Sequence, residues 1–305
     1  MNRQNIIENL IESLAEQAEV DVDAGWGHVL KRIKRNRNTT RFFHIIRNSA
    51  AVLLPLFLIF QYIVYPEIQQ SKQDKQLITL SAAPGMVVNA TLPDGSEVWL
   101  NSQSSLSYPR VFNRKMRTVE LSGEAYFKVR SNQKHRFNVA IPNGLTVSAY
   151  GTEFNVNAYT SNEITEVTLA SGNLELFSKS SPQGANKLHV DEKAIINNHN
   201  LQIETVVTDT YVDTAWKDGK MVFRRTKLDK IAERLSRKFG VDFKLEDEKL
   251  KDYEYTATFI DESLEDILEL LKMSAPITFE IKQQKQLENK TYTQREVLIT
   301  FKNKK

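Results

Sequence analysis

Between Arg47 and Glu67 the chain carries no Asp, Glu, Lys or Arg. The centre of that gap is AAVLLPLFLIFQYIVY, residues 50–65. With Ile45 and Ile46 it supplies about 21 residues, or roughly 31 Å of helix, against a hydrocarbon core of about 30 Å. Its Val, Leu, Ile and Phe side chains favour insertion by roughly 3–6 kcal/mol, of which Pro55 and Gln61 return a part. Tyr62 and Tyr65 suit one membrane interface, and Arg47 can snorkel at the other. A helix buried in a protein core is the competing reading, but such cores seldom keep so long a charge-free run. The expectation is a single membrane span over 47–66.

The flanks set its direction. Lys31, Arg32, Lys34, Arg35, Arg37 and Arg41 precede it, whereas only Lys72 and Lys75 follow closely. The positive-inside rule then places 1–46 in the cytoplasm and the remainder outside. A cleaved signal peptide fits poorly, because the n-region would be too long and YPEIQQSKQ offers no small-x-small site. The whole chain has 305 residues, 41% apolar and 26% charged, which suits about two folded domains. It has no cysteine, which excludes disulfides, thiolate metal sites and a cysteine nucleophile. The formal charge of +3 is too small to make nucleic acid a direct partner. His28, His44, His135, His189 and His199 are scattered, with no spacing that suggests a metal, and no cofactor is expected.

The short cytoplasmic segment reads as two amphipathic helices. Ile6, Ile7, Leu10, Ile11 and Leu14 share one face over 2–19. Trp26, Val29, Leu30 and Ile33, with Val22, form a second apolar set that Asp21 or Asp23 could cap. So few residues cannot bury both faces alone. The set therefore serves either partner binding or anchoring on an anionic lipid surface.

After a polar linker over 67–76, the pattern switches to period two. Val98 and Leu100 face one way, and Glu97, Trp99 and Asn101 the other. Later segments such as TVELS, AYFKV, FNVAI, TEFNVNAY, EVTLA and NLELF behave alike. Residues 77–207 are expected to form an all-β domain. Gly95, Gly123 and Gly151 fall at equal spacing, and Gly172 follows at a shorter one. That spacing suggests a β-solenoid-like roll, and a sandwich of hairpins would read similarly.

Over 208–305 the period changes again. GKMVFRR is a strand, and Thr226 with Asp229 matches a capping box. Leu228, Ile231, Ala232, Leu235 and Phe239 line one helix face, and Gly240 ends the helix. VDFKL and YEYTATF are strands. A second helix, capped by Asp261 or Ser263, buries Leu264, Ile267, Leu268 and Leu271, before closing strands ITFEIK and EVLITF. The order strand–helix–strand, twice, with one added strand describes a small α+β tail whose helices can cover a three- to five-stranded sheet. The fold class is therefore mostly β with an α+β tail, on a single-pass chain.

These residues bring a family into view. The runs TLPDGSEVWLNSQSSLSYP (91–109), RTVELSGEAYFKV (117–129), YGTEFNVNAY (150–159) and VTLASGNLEL (167–176) resemble the periplasmic domain of FecR-type anti-sigma factors. Asp94, Gly95, Gly123, Glu124, Phe127, Gly151, Phe154 and Gly172 sit in those motifs. Trp216, GKMVF, FGV and TATF resemble the C-terminal module, which is similar to the short N-terminal domain of secretins and TonB-dependent receptors. DVDAGWGHVLKRI resembles the segment before the span in short-tailed members. The resemblance implies a Gram-negative inner-membrane protein, its N-terminus cytoplasmic and its C-terminus periplasmic. Outside, it would bind the signalling domain of a TonB-dependent receptor; inside, an extracytoplasmic-function sigma factor. Family members usually carry a longer cytoplasmic region. Either the true start lies upstream, or the sigma-binding segment is minimal, or it has been lost.

Catalysis is not expected, with one qualification from the resemblance. Some relatives cut themselves at the bond matching Gly151–Thr152. The Thr152 hydroxyl would attack the Gly151 carbonyl, and the resulting ester would hydrolyse. The bland alternative is a turn glycine before a strand threonine. Asp94–Gly95 reads as a turn, and Glu124 as a strand-edge charge. Strands 219–224 or 296–301 could offer an exposed edge to a partner strand. Two other functions compete: a structural envelope protein that assembles through the tail, and a membrane-anchored glycan-acting enzyme, for which no pair of carboxylates stands out. Replacing Thr152 with Ala should abolish any two-fragment pattern on a gel. An unchanged pattern would remove the self-cleavage reading.

Overall fold

The computed structural model describes residues 3–16, 23, 25–32, 55, 57–64, 76–112, 116–132, 134–178, 181–284 and 293–302. The chain divides into two compact units, Met1–Ser71 and Lys72–Lys305. In the first, α1 (Arg3–Glu16) and α2 (25–32) are helical, as is a π-helical turn over Phe60–Val64. Ile6, Ile7, Leu10, Ile11 and Leu14 are exposed along α1. Trp26, Val29 and Leu30 are likewise exposed on α2, while Ile33 lies outside the described residues. Most of 47–66 and nearly all of the 67–76 linker also lie outside them. Among the described residues no helix is long and apolar enough to cross a membrane.

The second unit begins with thirteen strands. They are β1 (Leu77–Ser81), β2 (Val88–Thr91), β3 (Glu97–Leu100), β4 (Ser105–Pro109), β5 (Arg117–Lys128), β6 (Phe137–Ala140), β7 (Leu145–Ala149), β8 (Glu153–Ala158), β9 (Ile164–Ser171), β10 (Leu174–Ser178), β11 (Ser181–Leu188), β12 (Glu192–Asn197) and β13 (Ile203–Val207). One sheet runs β1-β4-β5-β6-β7-β10-β11 and the other β2-β3-β5-β8-β9-β12-β13. Strand β5 belongs to both. Glu120 to Ser122 pair with β4, Arg117 to Glu120 with β6, and Gly123 to Lys128 with β8.

Of the spaced glycines, Gly95 sits in the turn between β2 and β3, and the later ones mark corners of this fold. Gly123 is where β5 passes from one sheet to the other; Gly151 and Gly172 sit where β7 leads into β8 and β9 into β10. At Gly123 φ is +104°, and a Cβ there would lie 2.7 Å from the Ser104 backbone, so only glycine fits. Gly151, at φ +60°, packs against Ser131, and Gly172 packs against Gly151. The last two corners therefore touch, whereas Gly123 packs on Ser104. The layers are not parallel coils, however. Among the described residues every pairing in this domain is antiparallel except β5 with β6.

Alternation buries one face of each sheet in a common core. Val98, Leu100, Phe127 and Phe154 come from one sheet; Leu121, Phe137, Val147 and Leu176 come from the other. Phe127 stacks on Phe154 at 5.1 Å and leans on Phe137 at 5.8 Å, joining the layers.

A connecting segment follows: α3 (Thr210–Thr214) and a 3-10 turn over Ala215–Asp218. The tail contains β14 (Lys220–Lys227), α4 (Leu228–Phe239), β15 (Val241–Leu245), a 3-10 turn (Glu248–Asp252), β16 (Glu254–Ile260), α5 (Leu264–Ser274), β17 (Ile277–Lys282) and β18 (Arg295–Phe301). The strands form two small sheets, β14-β16 and β15-β18-β17, rather than one. Strand β18 lies between β15 and β17, so 296–301 is not an edge; both its hydrogen-bonding sides are used. Leu228, Ile231, Leu235, Ile267 and Leu271 are buried in the module's own core. Gly240 ends α4 in the left-handed region, and Ser263 caps α5 through the Asp266 amide. The capping box at Thr226 does not form. Helix α4 starts one residue later, with Lys227 at its cap, because the Thr226 hydroxyl accepts the Arg224 amide at a bulge in β14.

Phe127→Ala should destabilise the second unit by about 3–5 kcal/mol, the range for truncating a fully buried aromatic. Urea midpoints of the wild type and variant would show it, and a change below about 1 kcal/mol would mean that the aromatic stack does not hold the sheets together.

Candidate functional site

The motif residues divide into two groups. One fixes the β2–β3 turn. Asp94 accepts the Ser96 amide at 3.0 Å and the Ser96 hydroxyl at 2.8 Å, as a turn aspartate should. It also meets the Arg117 guanidinium at 2.7 Å, in a pair whose side chains are 10% and 5% exposed. Arg117 further donates to the carbonyls of Arg130 and His135 and lies over the Phe137 ring. The turn reading of Asp94 was therefore incomplete: it anchors the hairpin to β5 through a buried ion pair.

The second group lies on the other face of β5. The burial pattern alternates up to Leu121, but from Gly123 to Phe127 both faces are covered. Glu124 is 9% exposed, so it is not a strand-edge charge. Its carboxylate accepts Asn101 Nδ2 at 2.7 Å and Asn155 Nδ2 at 2.9 Å. Asn155 Oδ1 in turn accepts Trp216 Nε1 at 3.2 Å. A chain of hydrogen bonds thus runs from β5 through β8 to the connecting segment. Trp216 is itself buried, and its neighbour Lys217 lies over the Tyr126 ring. Asp213 adds a second clasp. It binds Lys193 at 2.9 Å and accepts the Thr168 hydroxyl at 3.0 Å, and Lys193 also reaches Glu166.

The end of α4 closes the joint. Ser102 Oγ donates to the Arg237 carbonyl at 2.6 Å while accepting the Gly85 amide at 2.8 Å. These bonds satisfy a carbonyl that the helix end leaves open. The Arg237 guanidinium stacks over Tyr159, and Arg234 lies over Phe223 and donates to the Val222 carbonyl. Tyr159 donates to the Ser102 carbonyl at 2.7 Å. The β-domain and the tail therefore meet across polar groups that are nearly all partnered.

Burial raises the pKa of Glu124; the Asn155 hydrogen bond, Arg234, the Asn101 hydrogen bond and Arg237 oppose it. Burial lowers that of Arg234, against the pull of Glu124. Burial also raises that of Tyr159.

Thr152 is buried beside its corner glycine. Its hydroxyl donates to the Asn173 carbonyl at 2.9 Å and accepts the Tyr150 amide at 3.2 Å. Neither partner is a base. Among the described residues no group of His, Asp or Glu could hold a metal ion. Asn155, Asp213, Arg234 and Arg237 were not singled out in the sequence. Asn155 lies inside the GTEFNVNAY motif as a polar residue in a strand with both faces buried, which is the signal that could have found it.

The comparisons agree with this two-part architecture. The family model described as FecR protein matches residues 78–175, and that described as FecR, C-terminal matches 220–288. The chain belongs to the family of FecR-type anti-sigma factors. Two crystal structures of a candidate anti-sigma factor from Parabacteroides distasonis ATCC 8503 are similar to this FecR-type chain. One has a TM-score of 0.63 and 27% identity, over 73% of this chain and 99% of that one. The other has a TM-score of 0.62 and 28% identity, over 75% and 100%. No curated protein matches.

A carboxyl whose pKa folding raises binds protons on folding. Its stabilising contribution is complete below its ordinary value of 4.5 and is lost as pH rises through the raised value. Denaturation midpoints from about pH 4 to pH 8 should therefore show the wild type losing stability relative to Glu124→Gln as pH increases. A difference that stays constant with pH would mean that burial does not set the state of Glu124.

Proposed function

We propose that this chain is a transmembrane anti-sigma factor that relays a signal inward across the Gram-negative inner membrane. The observation that carries the proposal is the pairing of the two FecR matches with a joint that couples them through Glu124, Asn155 and Trp216. A sensor that transmits through two modules needs them held in a defined relation, and a hydrogen-bonded joint supplies it. In this reading the tail and β-domain receive the signalling domain of a TonB-dependent receptor. The 47–66 segment crosses the membrane once. The cytoplasmic segment, with Trp26, Val29, Leu30 and Ile33, holds an extracytoplasmic-function sigma factor and so controls transcription of uptake genes. Self-cleavage at Gly151–Thr152 would be a single-turnover step in that relay, not turnover of a substrate.

The full chain, tagged and expressed with its candidate partners, should sediment with membranes. It should retain the sigma factor through residues 1–46 and the receptor's signalling domain through the part after residue 66. A reporter enzyme active only in the periplasm should work at the C-terminus and fail at residue 40. Rings of this chain without sigma factor would favour the structural envelope reading, and hydrolysis of a glycan would favour the enzyme. Recovery of the intact chain from the soluble fraction would defeat the relay.

A further inference from the structure

The joint holds a partly open cavity of about 340 Å³. Its walls come from both modules and from the segment between them. The β-domain contributes Asn101, Ser102 and Glu124, the connecting segment Trp216, and α4 Arg234, Arg237 and Lys238. Lys220 and Asp261 complete the charged lining. Lysine and arginine thus outnumber carboxylates around one cavity. Among the described residues, none of Lys220, Arg234, Arg237 and Lys238 makes an ion pair with a carboxylate. Lys220 is turned toward Tyr211, Arg234 spends one N–H on the Val222 carbonyl, and Arg237 is stacked on Tyr159. Glu124 faces these cations, and Arg234 and Arg237 oppose the rise that burial causes in its pKa, but its oxygens are taken by two asparagine amides and make no direct ion pair with them.

Where cations outnumber carboxylates, the excess positive charge favours a negative guest. A guanidinium with N–H groups still to be satisfied matches the planar oxygens of phosphate and carboxylate. The size lies at the low end of small-molecule pockets, and Trp216 and Met221 offer an apolar wall beside the charges. We infer that the cavity is a binding site for a small oxyanion-bearing molecule, a phosphate or carboxylate group on a compact body. Because its walls belong to both modules, a bound anion ties them together. The site would let a small molecule set the stiffness of the joint, independently of whichever proteins bind elsewhere.

The test uses the full chain in detergent and follows thermal unfolding during titration with inorganic phosphate, malonate or chloride at matched ionic strength. Phosphate or malonate should raise the midpoint saturably and chloride should not. The apparent affinity should fall at least tenfold in Arg237→Ala/Lys238→Ala. Lys238→Glu, at a partly exposed position on α4, gives a second variant should the double one fold poorly, and it should weaken binding likewise. Equal shifts for all three anions, or undiminished shifts in a folded variant, would overturn the site. Loss of sigma-factor binding would leave these titrations unchanged, so the two readings fail separately.

Discussion

Strand β5 is shared by both sheets, and the β-domain depends on that sharing. A strand that belongs to two sheets has to turn between them without losing its ladder. Gly123 permits the turn because its backbone passes the Ser104 backbone where no side chain fits. Before the turn, Val119 and Leu121 face the core; after it, Ala125 and Phe127 do. The shared strand brings Phe127 onto Phe154 and Phe137, so one aromatic cluster spans both layers. It also places Arg117 at one end, where Asp94 can reach it, and Glu124 past the corner, where the connecting segment can cover it.

The covering segment explains why charge is tolerated there. A lone buried carboxylate would cost on the order of several kcal/mol. Glu124 avoids much of that through two amide donors and the nearby arginines of α4. Lys193 does so through Asp213 and Glu166. Such arrangements add little net stability over a well-packed apolar contact. They do require definite partners in definite positions, so the two modules dock in one register and not several. In the proposed relay, that specificity matters more than tightness.

The anion-binding cavity follows from the same economy of partners. Glu124 is held by asparagines and makes no direct ion pair with the α4 cations beside it, which outnumber the carboxylates of the lining. A joint held by these hydrogen bonds and by the Lys193–Asp213 ion pair can still respond to a charged guest.

Much of the local structure could be read along the chain. The period-two runs located the strands that bury Val98, Leu100 and Phe154, because alternation and burial are the same fact on a half-buried sheet. The helix faces of the tail were equally plain from Leu228, Ile231 and Leu235, and Gly240 marked its own stop. The equal spacing of Gly95, Gly123 and Gly151 suggested a solenoid-like roll; Gly123 and Gly151 do lie at corners, but Gly95 lies in a hairpin turn and the strands pair antiparallel around them. What sequence could not decide was pairing between distant segments. Whether β18 lay at an edge or in the middle depended on a parallel contact with β15, and hydrogen bonds of that kind leave no mark on the residues that make them. The charge of Glu124 looked like an edge charge because its cover, Trp216, is far off in the chain and Asn155 lies on another strand. Local pattern determined the elements, since propensity and amphipathicity act within a few residues. The joint was decided only by tertiary structure, since desolvation and ion pairing act between groups that meet only after folding.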